Sequence, residues 1–113
     1  MKYFSRSAVC RQMHKHASKK EAQRCDELTV LEKQGMVKWL KQQPKFTLQP
    51  SFRFDGKAIR EVAYLADFSY FDTKTKNQVV EDTKGFKTRD YLIKKKMLLF
   101  MFRNREDFQF LES

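Results

Sequence analysis

Two aspartates and a lysine carry the strongest chemical signal in this chain. Asp67 lies within the single strand-like run Val62-Ala-Tyr-Leu-Ala-Asp67-Phe-Ser-Tyr-Phe71, and Asp82-Thr83-Lys84 follows fifteen positions later, beyond the polar segment Asp72-Thr-Lys-Thr-Lys-Asn77. The flanking runs are rich in Val, Tyr and Phe, which predicts two strands joined by a short turn. With that turn centred between Lys74 and Thr75, residues whose numbers sum to 149 face each other, and Asp67 stands opposite Asp82. Directly opposed side chains have Cβ atoms about 5 Å apart, and two unit charges at that distance repel by roughly 3 kcal/mol at an effective dielectric near 20. Lys84 shares the face of Asp82 by the period of two and offsets part of this. A divalent cation would offset the rest.

Such a constellation suits metal-assisted hydrolysis of a phosphodiester. Carboxylate and carbonyl oxygens hold a hard Mg²⁺ or Mn²⁺, which neutralises charge on the scissile phosphate. Asp67 and Asp82 are the expected ligands, with the Thr83 carbonyl completing the shell. Lys84 would orient or help deprotonate the attacking water and stabilise developing negative charge. The pattern Asp-x-Lys also occurs at Asp55-Gly-Lys57 and Asp72-Thr-Lys74, but those fall in a turn and in the hairpin loop. Only Asp82 follows a strand-like Val79-Val80 with a second acid facing it. Glu81 points to the opposite face of a regular strand and stays out of the metal shell, unless a bulge reverses the phase.

The elements that must position these residues can be read outward from them. Ser18-Lys-Lys-Glu21 has the form of a capping box, and Ala22, Cys25, Leu28 and Leu31 recur at helical spacing up to Gly35, predicting a helix over 18–34. Met36 to Lys41 and Phe46 to Leu48, bounded by Pro44 and Pro50, predict short strands with edge character. Asp55-Gly56 marks a chain reversal. Thr88 caps a second helix near 89–102, with Asp90 in its first turn and Ile93, Met97, Phe100 and Met101 as its apolar stripe. Asp107 to Leu111 alternates as a last strand. The order α, β, β, β, β, α, β predicts an α+β fold, a mixed β-sheet flanked by helices.

At 113 residues with 41% hydrophobic content, the chain can bury one modest core and not two. Residues 1–17 are basic and aperiodic and are expected as an arm, with 18–113 forming a single domain. Trp39 and the eleven phenylalanines are expected in the core. The net charge of +10 is unevenly placed: residues 1–24 sum to +6, 25–83 to zero, 84–105 to +7 and 106–113 to −3. Two basic stretches around a neutral middle that holds most of the acids favour a polyanionic partner. Lys87, Arg89, Lys94, Lys95 and Lys96 are the candidate phosphate contacts. No run is long enough for a membrane span and no apolar leader opens the chain, which predicts a cytoplasmic protein with Cys10 and Cys25 as free thiols. A glycine-rich phosphate loop, a nucleophile elbow and HExxH are all missing, so nucleotide hydrolysis, acyl transfer and zinc peptidase chemistry have no support.

Ala66-Asp67 set fifteen positions before Asp82-Thr83-Lys84, after a helix bearing Glu21 and before a lysine-rich helix, resembles the PD-(D/E)xK nuclease superfamily. The stretches SKKEAQRCDEL, QPKFTLQPSF, YLADFSYF, VVEDTKGFKTRDY and KKKMLLF are similar to small phage and prophage endonucleases of that superfamily, related to Holliday-junction resolvases. The likeness covers about residues 14–112. It implies a restriction-endonuclease-like core, an Mg²⁺- or Mn²⁺-dependent endodeoxyribonuclease, branched or duplex DNA as substrate, and a bacterial host cytoplasm. Two strands cut by a chain with room for one site imply a homodimer. Asp67, Asp82 and Lys84 take the motif positions, with Ala66 in place of the motif proline. Glu21 stands where junction-resolving relatives carry a helix glutamate that supports the metal, although the capping box accounts for it equally well. A non-catalytic basic nucleic-acid-binding accessory protein is the alternative.

Overall fold

The computed structural model describes residues 8–10, 15–16, 18–83 and 87–113. Two short strands, β1 (Ala8–Val9) and β2 (Lys15–His16), pair antiparallel ahead of helix α1 (Lys19–Lys33). Then come β3 (Val37–Gln42), β4 (Lys45–Gln49), β5 (Phe52–Phe54), β6 (Lys57–Ile59), β7 (Val62–Leu65), β8 (Phe68–Asp72), β9 (Asn77–Asp82), helix α2 (Arg89–Met101) and β10 (Phe108–Glu112). The central sheet runs β10-β9-β8-β3, with β10 parallel to β9 and the other pairs antiparallel. This is a mixed α+β fold. Among the described residues, no helix is long and apolar enough to cross a membrane.

Local chemistry sets the ends of α1. Ser18 sits in extended backbone and its Oγ accepts from the Glu21 amide at 3.2 Å, satisfying one of the first-turn donors. At the other end Gly35, at φ +76°, lets its amide reach the Glu32 carbonyl while Met36 reaches the Leu31 carbonyl. That pair of bonds is a Schellman closure, which needs the left-handed residue glycine supplies. Asp55 and Gly56, both at positive φ, make the two-residue turn between β5 and β6.

Two layers of core lie on opposite faces of the sheet. Cys25 and Leu28 of α1 pack with Val37, Phe68, Tyr70 and Val79 on one face. On the other, Leu98 of α2 packs with Tyr64, Ala66 and Val80. Adjacent residues Val79 and Val80 therefore serve different layers, as the alternation along a strand requires.

Several expectations change. Ala8 and Cys10 of the expected arm join the core while Val9 between them is exposed: Cys10 is buried beside α1, its Sγ 3.2 Å from that of Cys25, and no disulfide joins the two. The single strand expected over 62–71 is two, because the chain breaks at Ala66-Asp67; β7 pairs with β4 while β8 pairs with β3 and β9. The Gln43 amide donates to the Asp67 carbonyl at 2.8 Å and the Ala66 amide to the Pro44 carbonyl at 3.1 Å, bridging the two ladders at the bend. On α2 the inward face is Tyr91, Lys95 and Leu98, whereas Ile93, Phe100 and Met101 of the expected stripe are exposed. Almost every position along Leu92 to Met101 except the lysines is apolar, so periodicity alone did not single out the face that meets Tyr64 and Val80. Trp39, expected in the core, is 69% exposed.

Candidate functional site: a buried aspartate pair at a strand break

The β8–β9 hairpin has the register deduced from its turn. Phe68 faces Glu81, Tyr70 faces Val79 and Asp72 faces Asn77. Asp72 secures the turn, its Oδ1 accepting from the Lys74 amide at 2.9 Å and the Thr75 amide at 3.3 Å. One step beyond the ladder, Asp67 and Asp82 meet. The Asp67 amide donates to Asp82 Oδ1 at 3.2 Å, and Asp67 Oδ2 accepts from the Thr83 amide at 2.7 Å and the Thr83 hydroxyl at 2.8 Å. The break in the strand makes this possible, since an amide spent in the β-ladder could not turn to a side chain.

Both carboxyl groups are withdrawn from water, Asp82 at 0% exposure and Asp67 at 7%. Tyr64 donates its hydroxyl to Asp82 Oδ2. Asp67 Oδ1 accepts from none of the described residues. The pair thus offers a hard oxygen held at a fixed angle by its partner oxygen's two bonds. A donor set of this kind fits Mg²⁺ or Mn²⁺ better than a soft metal. Among the described residues no three His, Cys, Asp or Glu side chains gather as a metal-holding group. Two carboxylates, a strand-end carbonyl and water would have to serve, which is a usual arrangement for Mg²⁺.

The other candidate residues divide clearly. Lys84 lies outside the described residues. Thr83 is seen holding Asp67 in place through its amide and hydroxyl. Glu21 is buried in the first turn of α1, where its amide is capped by Ser18, and it is not gathered with the aspartates into a three-carboxylate group. Glu81 turns to the α1 face as expected: it is 2% exposed and accepts from Arg24 Nε at 2.6 Å, Arg24 Nη2 at 3.0 Å and the Tyr70 hydroxyl at 2.8 Å. Of the expected phosphate contacts, Lys87 and Lys95 are drawn to Glu112, at 3.0 and 3.3 Å. Lys95 also lies 5.0 Å from the Phe110 ring centre. Arg89, Lys94 and Lys96 form no ion pair among the described residues.

Three residues near the pair escaped the sequence reading. Tyr64 bonds Asp82, Tyr91 bonds Glu112, and Glu112 is the register partner of Asp82 across the parallel β9–β10 pairing. Burial pushes the Tyr91 hydroxyl up, and its bond to Glu112 together with the charges of Asp82, Glu112 and Asp67 pushes it further. Tyr91 therefore stays a neutral donor at the edge of the acidic site. Glu112 is held down to about 2, first by the Tyr91 hydroxyl and then by Lys87 and Lys95. The alternation of β10 gives a faint signal for Glu112, but its pairing with Asp82 depends on a parallel crossover that no local motif announces.

No curated protein and no solved structure matches the chain. A family model does match, over residues 1–110, and by that match the chain belongs to the family described as Protein of unknown function (DUF1064).

Proposed function

We propose that this protein is a metal-dependent DNA endonuclease of the PD-(D/E)xK type with a restriction-endonuclease-like core, hydrolysing phosphodiester bonds with Mg²⁺ or Mn²⁺. The observation that carries the proposal is the buried Asp67–Asp82 pair at a strand break, with Thr83 clamping one carboxyl group and Tyr64 the other. Burying two carboxyl groups side by side works against folding. A fold with no use for the pair would gain by replacing one of them.

On this reading Asp67 and Asp82, with the Thr83 carbonyl, hold the cation. The ion would neutralise charge on the phosphate and favour deprotonation of water. Thr83 keeps Asp67 from rotating, and Tyr64 does the same for Asp82, so the ligands need no rearrangement on binding. Lys84 follows directly in sequence and is the ammonium expected to stabilise developing charge. Glu21 supports the site from α1. Arg89, Lys94 and Lys96, with Lys87 and Lys95 on the same helix and its lead-in, grip the backbone of branched or duplex DNA. A homodimer brings two sites to two strands, and the exposed Ile93, Phe100 and Met101 of α2 supply apolar surface for that contact. The protein would act in a bacterial cytoplasm, encoded by a phage or prophage, on junctions or other branched DNA.

The test is cleavage of labelled four-way junctions, flaps, single strands and duplexes with Mg²⁺, Mn²⁺ or EDTA. Wild-type protein cuts at least one substrate in either metal and none in EDTA. Asp82→Asn, checked by circular dichroism to be folded, abolishes cutting and binds DNA as well or better, because a negative charge near phosphate is gone. Undiminished cutting by Asp82→Asn overturns the assignment. The second reading, a basic accessory protein that grips nucleic acid without cutting it, is favoured by the lack of a three-residue ligand group among the described residues. Calorimetry with Mn²⁺ separates the two, since only the nuclease takes up the ion.

A further inference from the structure

Trp39 is held where a large aromatic residue gains least from the fold. Lys38 faces Phe71 and Lys41 faces Ser69, so Trp39 and Leu40 together oppose the single residue Tyr70 in a β-bulge. Trp39 takes the left-handed position of that bulge, at φ 56°, where glycine is the usual occupant. Leu40 turns to the α1 core, and its amide donates to Glu32 Oε2 of α1 at 3.1 Å, which locks the bulge. The indole swings to the opposite face, 69% exposed, with the Phe71 ring at 5.3 Å as its aromatic neighbour. Backbone strain at a solvent-facing tryptophan is uncompensated by burial, and strain of this kind collects at sites that bind something.

The surroundings specify what. Trp39 and Phe71 open onto a groove of about 440 Å³ on the sheet, lined also by the Ser69 hydroxyl, the Gln78 amide, Lys41 and Asp107, whose carboxylate is answered by Arg105 at 3.0 and 3.1 Å. Lys38 and Lys41 lie on this face by register, and neither has an ion-pair partner among the described residues. Lys74 and Lys76 are exposed in the turn at the same end of the sheet. An apolar peptide or a lipid tail would leave these cations unanswered in a chain of net charge +10. Aromatic faces between unpaired lysines instead match a single strand, whose bases stack and whose phosphates need cations.

The geometry points to the Trp39–Phe71 groove as the seat of an unpaired base of a nucleic-acid strand, the base stacking on the indole and the adjoining phosphates meeting Lys38 and Lys41. Ser69 and Gln78 supply hydrogen bonds to the base edge. Along the chain Phe71 lies four residues from Asp67, about 13 Å in extended backbone, or about four stacked nucleotides. If the aspartate pair is hydrolytic, a substrate unpaired within a few nucleotides of the cut would engage both places; that link rests on the endonuclease reading, whereas the base seat does not.

Trp39 is the chain's single tryptophan, so its fluorescence reports the site directly. The experiment titrates the full chain, in EDTA at low salt, with twelve-nucleotide oligo-dT, oligo-rU and a duplex of equal length, following fluorescence and the anisotropy of labelled strands. Expected is saturable quenching by a single strand, with DNA or RNA identified by which oligomer gives it. Trp39→Gly, which suits the backbone, weakens single-strand binding about 5- to 150-fold, the range for loss of one base stack. Trp39→Phe keeps most of the affinity, and duplex binding is unchanged in both variants. Single-strand binding without quenching, equal affinity in Trp39→Gly, or no single-strand binding at all overturns the proposal. So does a dimer that Trp39→Gly converts to monomer with strand binding intact, which would give the groove to a second copy. Because EDTA stops any metal-dependent cutting, failure here leaves the hydrolase test untouched, and a chain that never cuts DNA can still bind a base at Trp39.

Discussion

Replacing Arg24 with methionine tests whether β9 is held in phase by a buried ion pair. Glu81 is 2% exposed and receives two bonds from Arg24, at 2.6 and 3.0 Å, and one from Tyr70. The Arg24 side chain is 27% exposed and also touches Glu27 at 3.1 Å, so the guanidinium is the wetter partner. Removing it leaves a carboxylate in the core with one neutral donor. At contact distance and an effective dielectric near 20 the lost attraction is about 4 kcal/mol, in line with the roughly 3–5 kcal/mol for breaking a buried pair from one side. A domain of this length has about 6–17 kcal/mol to lose from, so Arg24→Met should unfold about 15 °C early. Adding Glu81→Gln removes the stranded charge and keeps the Tyr70 bond. The double variant should therefore recover at least about 2 kcal/mol over Arg24→Met alone. Urea unfolding followed by circular dichroism measures each corner of the cycle, with an unchanged denaturant slope as the check on two-state behaviour. An Arg24→Met cost below about 1 kcal/mol, or a double variant no more stable than the single, would refute the reasoning.

Other outcomes follow from the same geometry. Glu81→Gln should retain DNA cleavage in the assay that Asp82→Asn fails, because Glu81 lies on the α1 face; loss of cutting in a folded Glu81→Gln would make Glu81 the motif acid instead. Glu112 is depressed to about 2, so its contribution to stability is complete above its ordinary value near 4.5 and fades as pH falls toward 2. Melting curves of wild type and Glu112→Gln should accordingly differ at pH 6 and converge near pH 2, and a constant gap would contradict the pairing with Tyr91, Lys87 and Lys95. Trp39→Gly should raise thermal stability by about 1 kcal/mol by relieving a left-handed residue, measured by calorimetry; a large loss would mean that the indole supports the fold. Burial pushes the Cys25 thiol up to about 12, aided by its contact with Cys10. Iodoacetamide at pH 8 should leave Cys25 unmodified in the native protein and label both cysteines in urea, as read by mass spectrometry.

What the chain encodes locally was open to reading from its residues. Ser18 and Thr88 cap their helices, Gly35 closes α1 and Asp55-Gly56 turns between β5 and β6, because each answers a hydrogen-bond or φ requirement within a few residues of itself. The register that sets Asp67 against Asp82 belongs with these once the turn is taken to centre on the polar segment Asp72 to Asn77, since the centre determines which residues can face each other. Tertiary structure alone decided the rest. The break at Ala66-Asp67 exists because two ladders on different partners meet there, and it frees the amide that binds Asp82. Which side of α2 is buried depended on Tyr64 and Val80 waiting beneath it, not on the helix's own nearly continuous apolar run. Glu112 reached Asp82 through a parallel pairing with a strand some thirty residues earlier, and Trp39 reached solvent through a bulge pinned by Glu32. The physical reason is common to all of these. Caps and turns are satisfied by their own neighbours, whereas the choice of face, break or bulge depends on distant surfaces that come together only when the chain folds.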